Sequence, residues 1–348
     1  MQRRDFLKNS ALLTGLGLLT PAISSQRAIG APASGGKFPS KFVDYGGGAP
    51  QAHLTYYNYE SQAWFRKNNA VLTAYRANVA QKYPYWYPLV GPKTGLSLIA
   101  ETGQPWPHHR GVFFGCDRVN GGNYWQNTLK DGQILSQGFK LESIGEKQAV
   151  FSDRCLWAKP KQNPIIEDKR RYELTLLDEN RYVLDAWFEV LPLVDITIEQ
   201  TNHGLFGVRS APDISVVQGG TLENSEGVKI VRGEDPKDNG EKAVLTKIHG
   251  KSARWCSFYG KRAGLDITEG IAVLVPEGLP EPFDKNLWFA RHYGNISPMP
   301  MLFIPKNKPI KLPKGEVLKL RYRVVAFAGT PQEAGIDGLW KAFSEKQA

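Results

Sequence analysis

Two of the six histidines in this 348-residue chain are adjacent, in Trp106-Pro107-His108-His109-Arg110-Gly111, and Asn123-Tyr124-Trp125 follows close behind. An imidazole with an ordinary pKa near 6.5 can give or take a proton at neutral pH, so His109 is the first candidate for a general acid or base. Adjacent side chains of an extended segment point to opposite faces, so His108 and His109 are badly placed to share one metal ion. One ring is expected to face the site and the other to hold the loop. No metal and no cofactor are expected. The same residues also suit a polar loop leading into an apolar strand at residues 112–114.

Two further segments repeat the theme: Asn202-His203-Gly204-Leu205-Phe206-Gly207-Val208-Arg209 and Trp288-Phe289-Ala290-Arg291-His292-Tyr293-Gly294. Each sets a histidine and an arginine beside glycines, which allow close backbone approach. His203 and His292 therefore join His109 as candidate catalytic groups. Arg110, Arg209 and Arg291 offer planar forks for an acidic group or for developing negative charge. Trp106 and Trp288 offer apolar faces on which a sugar ring can stack, and His108, Asn123 and Tyr293 complete the expected substrate contacts. Separate structural networks, with arginine–aspartate pairs in one place and histidine–backbone bonds in another, would use the same residues. If the segments converge, His109, Arg110, His203, Arg209, Arg291 and His292 share one concave site.

Segments so far apart in sequence meet only if the fold brings several strand ends together. In residues 194–199 (VDITIE) the apolar residues alternate with polar ones, as they do in residues 319–324 (KLRYRV). That period of two describes strands with one dry face. Residues 181–190 and 270–275 read as further strands, the latter buried on both sides. Asp178-Glu179-Asn180, Gln218-Gly219-Gly220 and Asp238-Asn239-Gly240 read as turns. Ile336, Leu339, Trp340 and Phe343 recur at helical spacing and predict a short C-terminal helix, the only convincing one. With 35 glycines, 23 prolines and 11% aromatics, the chain reads as all-β: a large antiparallel β-sandwich with under a fifth of its residues helical, whose length resembles that of the galactose-mutarotase-like sandwiches.

Met1-Gln2-Arg3-Arg4-Asp5-Phe6-Leu7-Lys8 precedes a Leu/Ala/Gly-rich stretch over residues 11–19, too short to span a bilayer. A paired arginine ahead of such a run reads as a twin-arginine signal peptide over 1–33. A linker over 34–50 and a single sandwich domain over 51–348 follow. The protein is expected in the periplasm or outside the cell, with no membrane span in its mature form. Its formal charge of +10 is scattered, with Lys169-Arg170-Arg171 the one dense run. Such a run reads as a solvated strand edge, and nucleic acid is not an expected partner. Cys116, Cys155 and Cys256 form no Cys-x-x-Cys pair, and read as three small buried groups or as one disulfide plus a thiol.

Tyr85-Trp86-Tyr87-Pro88-Leu89, His108-His109-Arg110-Gly111, Gly207-Val208-Arg209, Gly219-Gly220, Asn224-Ser225-Glu226-Gly227, Trp255 and the segment Trp288 to Gly294 together resemble the family catalogued as "methane oxygenase PmoA", a bacterial domain of unknown function. The resemblance covers roughly residues 70–330 and implies a place in secreted sugar-degrading systems. It departs from that family at Asn202-His203-Gly204, where an acidic segment is usual. Methane oxidation itself is excluded, because a mean hydropathy of -0.37 and the lack of a long apolar run contradict a multi-span membrane subunit.

The expected function is an exported carbohydrate-active enzyme, a hydrolase, lyase or isomerase acting on a sugar or glycoside. A non-catalytic periplasmic sugar-binding or scaffold protein is the alternative. A glycosidase needs two facing carboxylates, and Asp117, Asp213, Glu223 and Glu226 are candidates without a diagnostic spacing.

Overall fold

The computed structural model describes residues 53–126, 128–233, 235 and 237–346. The expected signal peptide and the expected linker over 34–50 lie outside the described residues. Strands account for 46% of the structure and helices for 11%, which meets the all-β expectation and its ceiling on helix. Among the described residues the strands form antiparallel sheets of eight, nine and four strands.

The two large sheets pack face to face because each carries an apolar face that water would otherwise meet. Aromatic rings fill the gap. Phe114 stacks on Phe188 at 3.9 Å and Phe206 on Tyr322 at 4.4 Å, one ring from each sheet. Trp86 and Tyr75 similarly reach Phe151 and Tyr172. The expected strand at residues 181–190 is the interior strand Arg181–Pro192, paired with Ile166–Leu176 on one side and Leu318–Ala328 on the other. The expected strand at 270–275 is Thr268–Leu274, dry on both faces from Glu269 to Leu274.

Burial on its outer face comes from the C-terminal helix Ile336–Glu345. Ile336 and Phe343 are buried against Val183, Trp255, Leu274, Val325 and Phe327, with Leu339 and Trp340 packed at the margin. The 3.6-residue period therefore marks the side that covers the sheet. Trp340 Nε1 donates to the Val275 carbonyl at 2.7 Å, which satisfies the indole of this partly buried ring.

Three local readings are corrected. The strand expected over 194–199 is shorter, Ile196–Ile198, and Val194 is 40% exposed. Asp238-Asn239-Gly240 opens a helix, Glu241–Lys247, as well as making a turn. Asp238 Oδ1 accepts from the Gly240 amide, and Asn239 Oδ1 from that of Glu241. The basic run is not a solvated edge throughout, because Arg170 is 1% exposed and points between the sheets. Asp168 takes its guanidinium at 2.5 and 2.9 Å and the Trp157 indole at 2.5 Å. Burying that cation is tolerable only with such a partner. Cys116, Cys155 and Cys256 are free and buried.

Four neighbouring strands of the eight-stranded sheet set up the candidate site. They are Val112–Phe114, Phe206–Arg209, Asn295–Pro298 and Trp288–Arg291, in that spatial order. Val112 pairs with Val208, and Arg209 with Asn295. Antiparallel pairing places the start of the first strand beside the end of the second and beside the turn joining the last two. His109, Arg209 and the Arg291–Gly294 turn consequently share one end of the sheet.

Candidate functional site

His109 sits just before its strand, and Gly111 explains how the chain turns there. Gly111 has φ +53°, and a Cβ on it would lie 2.0 Å from the Trp86 carbonyl oxygen. Across the sheet, Gly294 has φ +103°, and a Cβ there would lie 2.3 Å from Ser210 Oγ. That tight turn carries His292 and Tyr293 over the end of the strand bearing Arg209.

The rings then form a continuous wall. His108 lies 4.7 Å from His109 and 4.7 Å from Trp125, and 6.3 Å from His203. Trp125 is the hub: His203 stacks on it at 4.8 Å and 24°, and His109 is 4.9 Å away. On the other side Tyr293 is 6.0 Å from His109 and 5.5 Å from His292, with the Arg209 guanidinium 4.6 Å above its ring. Trp106, 46% exposed, flanks His108 at 5.9 Å.

His203 has the chemistry of a proton carrier. Its Nδ1 lies 2.7 Å from Asp117 Oδ2, and the Thr201 hydroxyl donates to the other oxygen of the same carboxylate. A carboxylate oxygen only accepts, so this contact places the ring proton on Nδ1 and leaves Nε2 bare. The Thr201 hydroxyl also accepts from the His203 amide at 3.0 Å, which ties ring, loop and carboxylate together.

His109 behaves differently from the expectation of a near-neutral titration. It is 3% exposed, and burial, then His108, Arg209, His203 and Arg291, push its pKa down to about 2. Burial also takes His108 down to about 4, helped by His203. Both are neutral imidazoles at pH 7, suited to donating or accepting a hydrogen bond and poorly suited to holding a proton. His292 is lowered chiefly by burial. Its Nε2 accepts from Asn239 Nδ2 at 3.2 Å, and its buried Nδ1 has no partner.

Arg291 is half-buried, donating to the Ala290 carbonyl at 3.0 Å and lying 3.1 Å from His249 Nδ1. Burial, aided by Arg291, lowers His249 to about 4. Glu241 is exposed and electrostatically coupled to Arg291, His292 and Tyr293. With Asn239 it also borders a surface depression of about 470 Å³ lined by Lys237, Lys242 and Leu245. A larger one of about 660 Å³, around Asp213 and Arg262, contains none of the site residues.

Of the residues singled out in the sequence, Trp106, His108, His109, His203, Arg209, Arg291, His292 and Tyr293 come together. Three do not contribute as expected. Arg110 follows the alternation of the chain away from His109, to lie 5.7 Å from the Tyr85 ring. Trp288 is fully buried, with its indole donating to the Ala253 carbonyl at 2.9 Å, so its ring is core and cannot stack on a ligand. Asn123 spends its amide on the loop: Oδ1 accepts from the Trp125 and Gln126 amides and Nδ2 donates to Gln126. It positions Trp125. Among the carboxylates, Asp213 is held by Arg262, Glu223 by Tyr259 and Gln332, and Glu226 faces solvent beside Ser225. Asp117 alone of the four reaches the histidines.

Trp125, Thr201, His249 and Asn239 were missed as site residues. The Asn123-x-Trp125 spacing, where Asn can cap a turn that presents the indole, was the available signal for the first. Nothing local marks the other three, since their partners lie far away in the chain.

A family described as "Family of unknown function (DUF6807)" matches residues 55–341. This match corrects the resemblance to the methane oxygenase PmoA family, which nothing in the comparison supports. No curated protein matches the sequence. Solved structures with similar folds include a galactose 1-epimerase from Lactobacillus acidophilus NCFM, at 13% identity and a TM-score of 0.38, covering 80% of this chain and all of that one. An aldose epimerase homologue from C. elegans gives 9% identity and a TM-score of 0.31, covering 79% of this chain and 99% of that one. A protein described as a kojibiose phosphorylase, from the human microbiome, gives 11% and 0.31 over 79% of this chain. This chain spans only about a third of that protein's length, the matched share being 32%.

Proposed function

The chain belongs to DUF6807, a family of unknown function, and on that footing we propose that it is an exported carbohydrate-active enzyme that moves a proton on its sugar substrate through His203. The observation that carries this reading is the Asp117–His203 contact of 2.7 Å, set beside the Trp125, His108 and His109 rings. Asp117 holds the tautomer, and the free Nε2 takes a proton from a sugar hydroxyl or an activated carbon and returns it. The neutral His109 offers a hydrogen bond to a substrate oxygen, and Arg209 and Arg291 favour the negative charge that develops as the proton leaves. Exposed Trp106 supplies a stacking face.

The same geometry favours isomerisation or elimination over hydrolysis. Two-carboxylate hydrolysis needs an acid and a base on opposite sides of the glycosidic bond. Asp117 is committed to His203 and Thr201. A second reading, a non-catalytic sugar-binding protein, is favoured by the neutrality of His108 and His109, since neutral rings suit hydrogen bonding to hydroxyls.

Proton NMR of the full chain with a panel of free sugars and glycosides separates these readings. Isomerisation or elimination of one class is expected, absent from His203→Ala while binding persists. Binding without turnover in the wild type would select the second reading, and no binding to any sugar would dismiss both.

Export is the remaining part of the proposal. Arg3 and Arg4 ahead of the short apolar run support a twin-arginine address, with the mature chain starting near Ser34. Cell fractionation should find the protein in the periplasm and the Arg3→Lys/Arg4→Lys variant retained inside. A variant that still reached the periplasm would remove this part.

A further inference from the structure

Four arginines are almost wholly buried among the described residues: Arg170, Arg209, Arg262 and Arg323. Three have a carboxylate from their own chain. Arg170 is held by Asp168 at 2.5 Å, Arg323 by Asp185 at 2.6 Å, and Arg262 by Asp213 at 2.9 Å and Glu269 at 3.3 Å. Arg209, 3% exposed, is the exception. Its Nη2 donates to the Gln104 carbonyl at 2.7 Å, while Nε and Nη1 have no partner. A buried charge without a counter-charge is among the costliest arrangements a fold can hold, and the other three show how this chain avoids it.

The surroundings of Arg209 are short of negative charge as well. Burial and then the Arg209 and Arg291 charges lower both His109 and His292, and His109 Nδ1 and His292 Nδ1 are also buried without partners. Both rings belong to residues at least nine-tenths buried. The exposed Glu241 couples to Arg291, His292 and Tyr293, and no ion pair forms between it and either arginine among the described residues. Burial lowers Arg209 to about 10, with Tyr293 opposing, a strain that a bound anion would relieve.

We infer that Arg209, with the Arg291 side of the site, is built to receive a carboxylate carried by the ligand, which makes the substrate class an acidic sugar such as a uronate. The inference rests on reading the site as a sugar site. A planar guanidinium whose Nε and Nη1 hydrogens are unpartnered, and whose Nη2 spends one of its two hydrogens on Gln104, keeps donors for the oxygens of a carboxylate. Residues 101–107 lie over the position: Gly103 is so close that a Cβ would stand 3.1 Å from Arg209 Nη2. Trp106 on the same loop, exposed beside His108, would then stack on the ring whose carboxylate lies beneath.

Isothermal titration of the full chain tests this, using glucuronate and galacturonate, the neutral sugars glucose and galactose, glucose 6-phosphate and plain acetate. Uronates are expected to bind at least about tenfold more tightly than their neutral counterparts. Arg209→Gln should erase that advantage, and Arg291→Gln, at a half-buried position, should reduce it in case the first variant fails to fold. Equal affinity for acidic and neutral sugars overturns the inference and leaves the sugar reading standing. Preference for the phosphate overturns it too, in favour of a tetrahedral anion. Acetate binding that needs Arg209, with no sugar bound, keeps the carboxylate and removes the sugar reading. Binding of nothing removes both.

Discussion

Asp117→Asn is expected to lower turnover of the sugar substrate by about a thousand- to ten-thousand-fold with little change in KM, as loss of the orienting carboxylate does in other His–carboxylate pairs. The side chains are nearly the same size, so the Thr201 contact and the loop survive. What changes is the proton. An amide facing Nδ1 at 2.7 Å can donate to it, which moves the ring proton to Nε2 and removes the base from the side facing the substrate. His203→Gln should be at least as damaging, and Thr201→Val, which leaves Asp117 with one fewer hydrogen bond, should cost about tenfold or less. Single-turnover kinetics beside a binding titration provide the check. Retained turnover in Asp117→Asn would show that His203 carries no proton in the reaction.

Acidification from pH 7 to 5 is expected to cost the fold about 2 kcal/mol through His109 alone. Its pKa in the folded protein is held near 2, chiefly by burial and then by His108, Arg209, His203 and Arg291, while an unfolded chain titrates near 6.5. The unfolded state therefore binds the proton first as pH falls. Stability is full above about pH 6.5 and declines by about 1.4 kcal/mol per unit on the way to the folded value. His108, held near 4, acts in the same direction. Urea unfolding at the two pH values measures the loss, and His109→Gln should flatten the dependence by about 2 kcal/mol. An identical pH slope in wild type and variant would mean that His109 is not held neutral in the folded protein.

The two expectations assign different work to neighbouring imidazoles. His109 is kept neutral chiefly by burial and then by the charged groups around it, so its value lies in fixed hydrogen-bonding geometry. His203 is partly open, with 22% of its side chain exposed, and is tied to a carboxylate. Environment, not residue type, separates a proton carrier from a hydrogen-bonding wall.

The fold class was written in the periodicity of the chain. Alternation over residues 319–324 and the double-sided dryness of 270–274 follow from which side chains avoid water, and a strand obeys that rule locally. The spacing of Ile336, Leu339, Trp340 and Phe343 likewise named both the helix and the face it buries. Composition and the recurrence of His/Arg segments singled out eight residues that meet. Three other assignments depended on tertiary structure. Trp288 and Trp125 look alike as tryptophans beside polar loops, yet one is sealed against Ala253 and the other is the hub of the histidine wall. Asp117 could not be told from Asp213 or Glu223, because a carboxylate's role depends on the cation or imidazole that a distant strand delivers to it. The missing counter-ion of Arg209 was invisible for the same reason. Each arginine carries one charge in the sequence, and only the packed sheets decide which of them finds an aspartate, since desolvation and pairing act across space between residues up to 138 positions apart, as for Asp185 and Arg323.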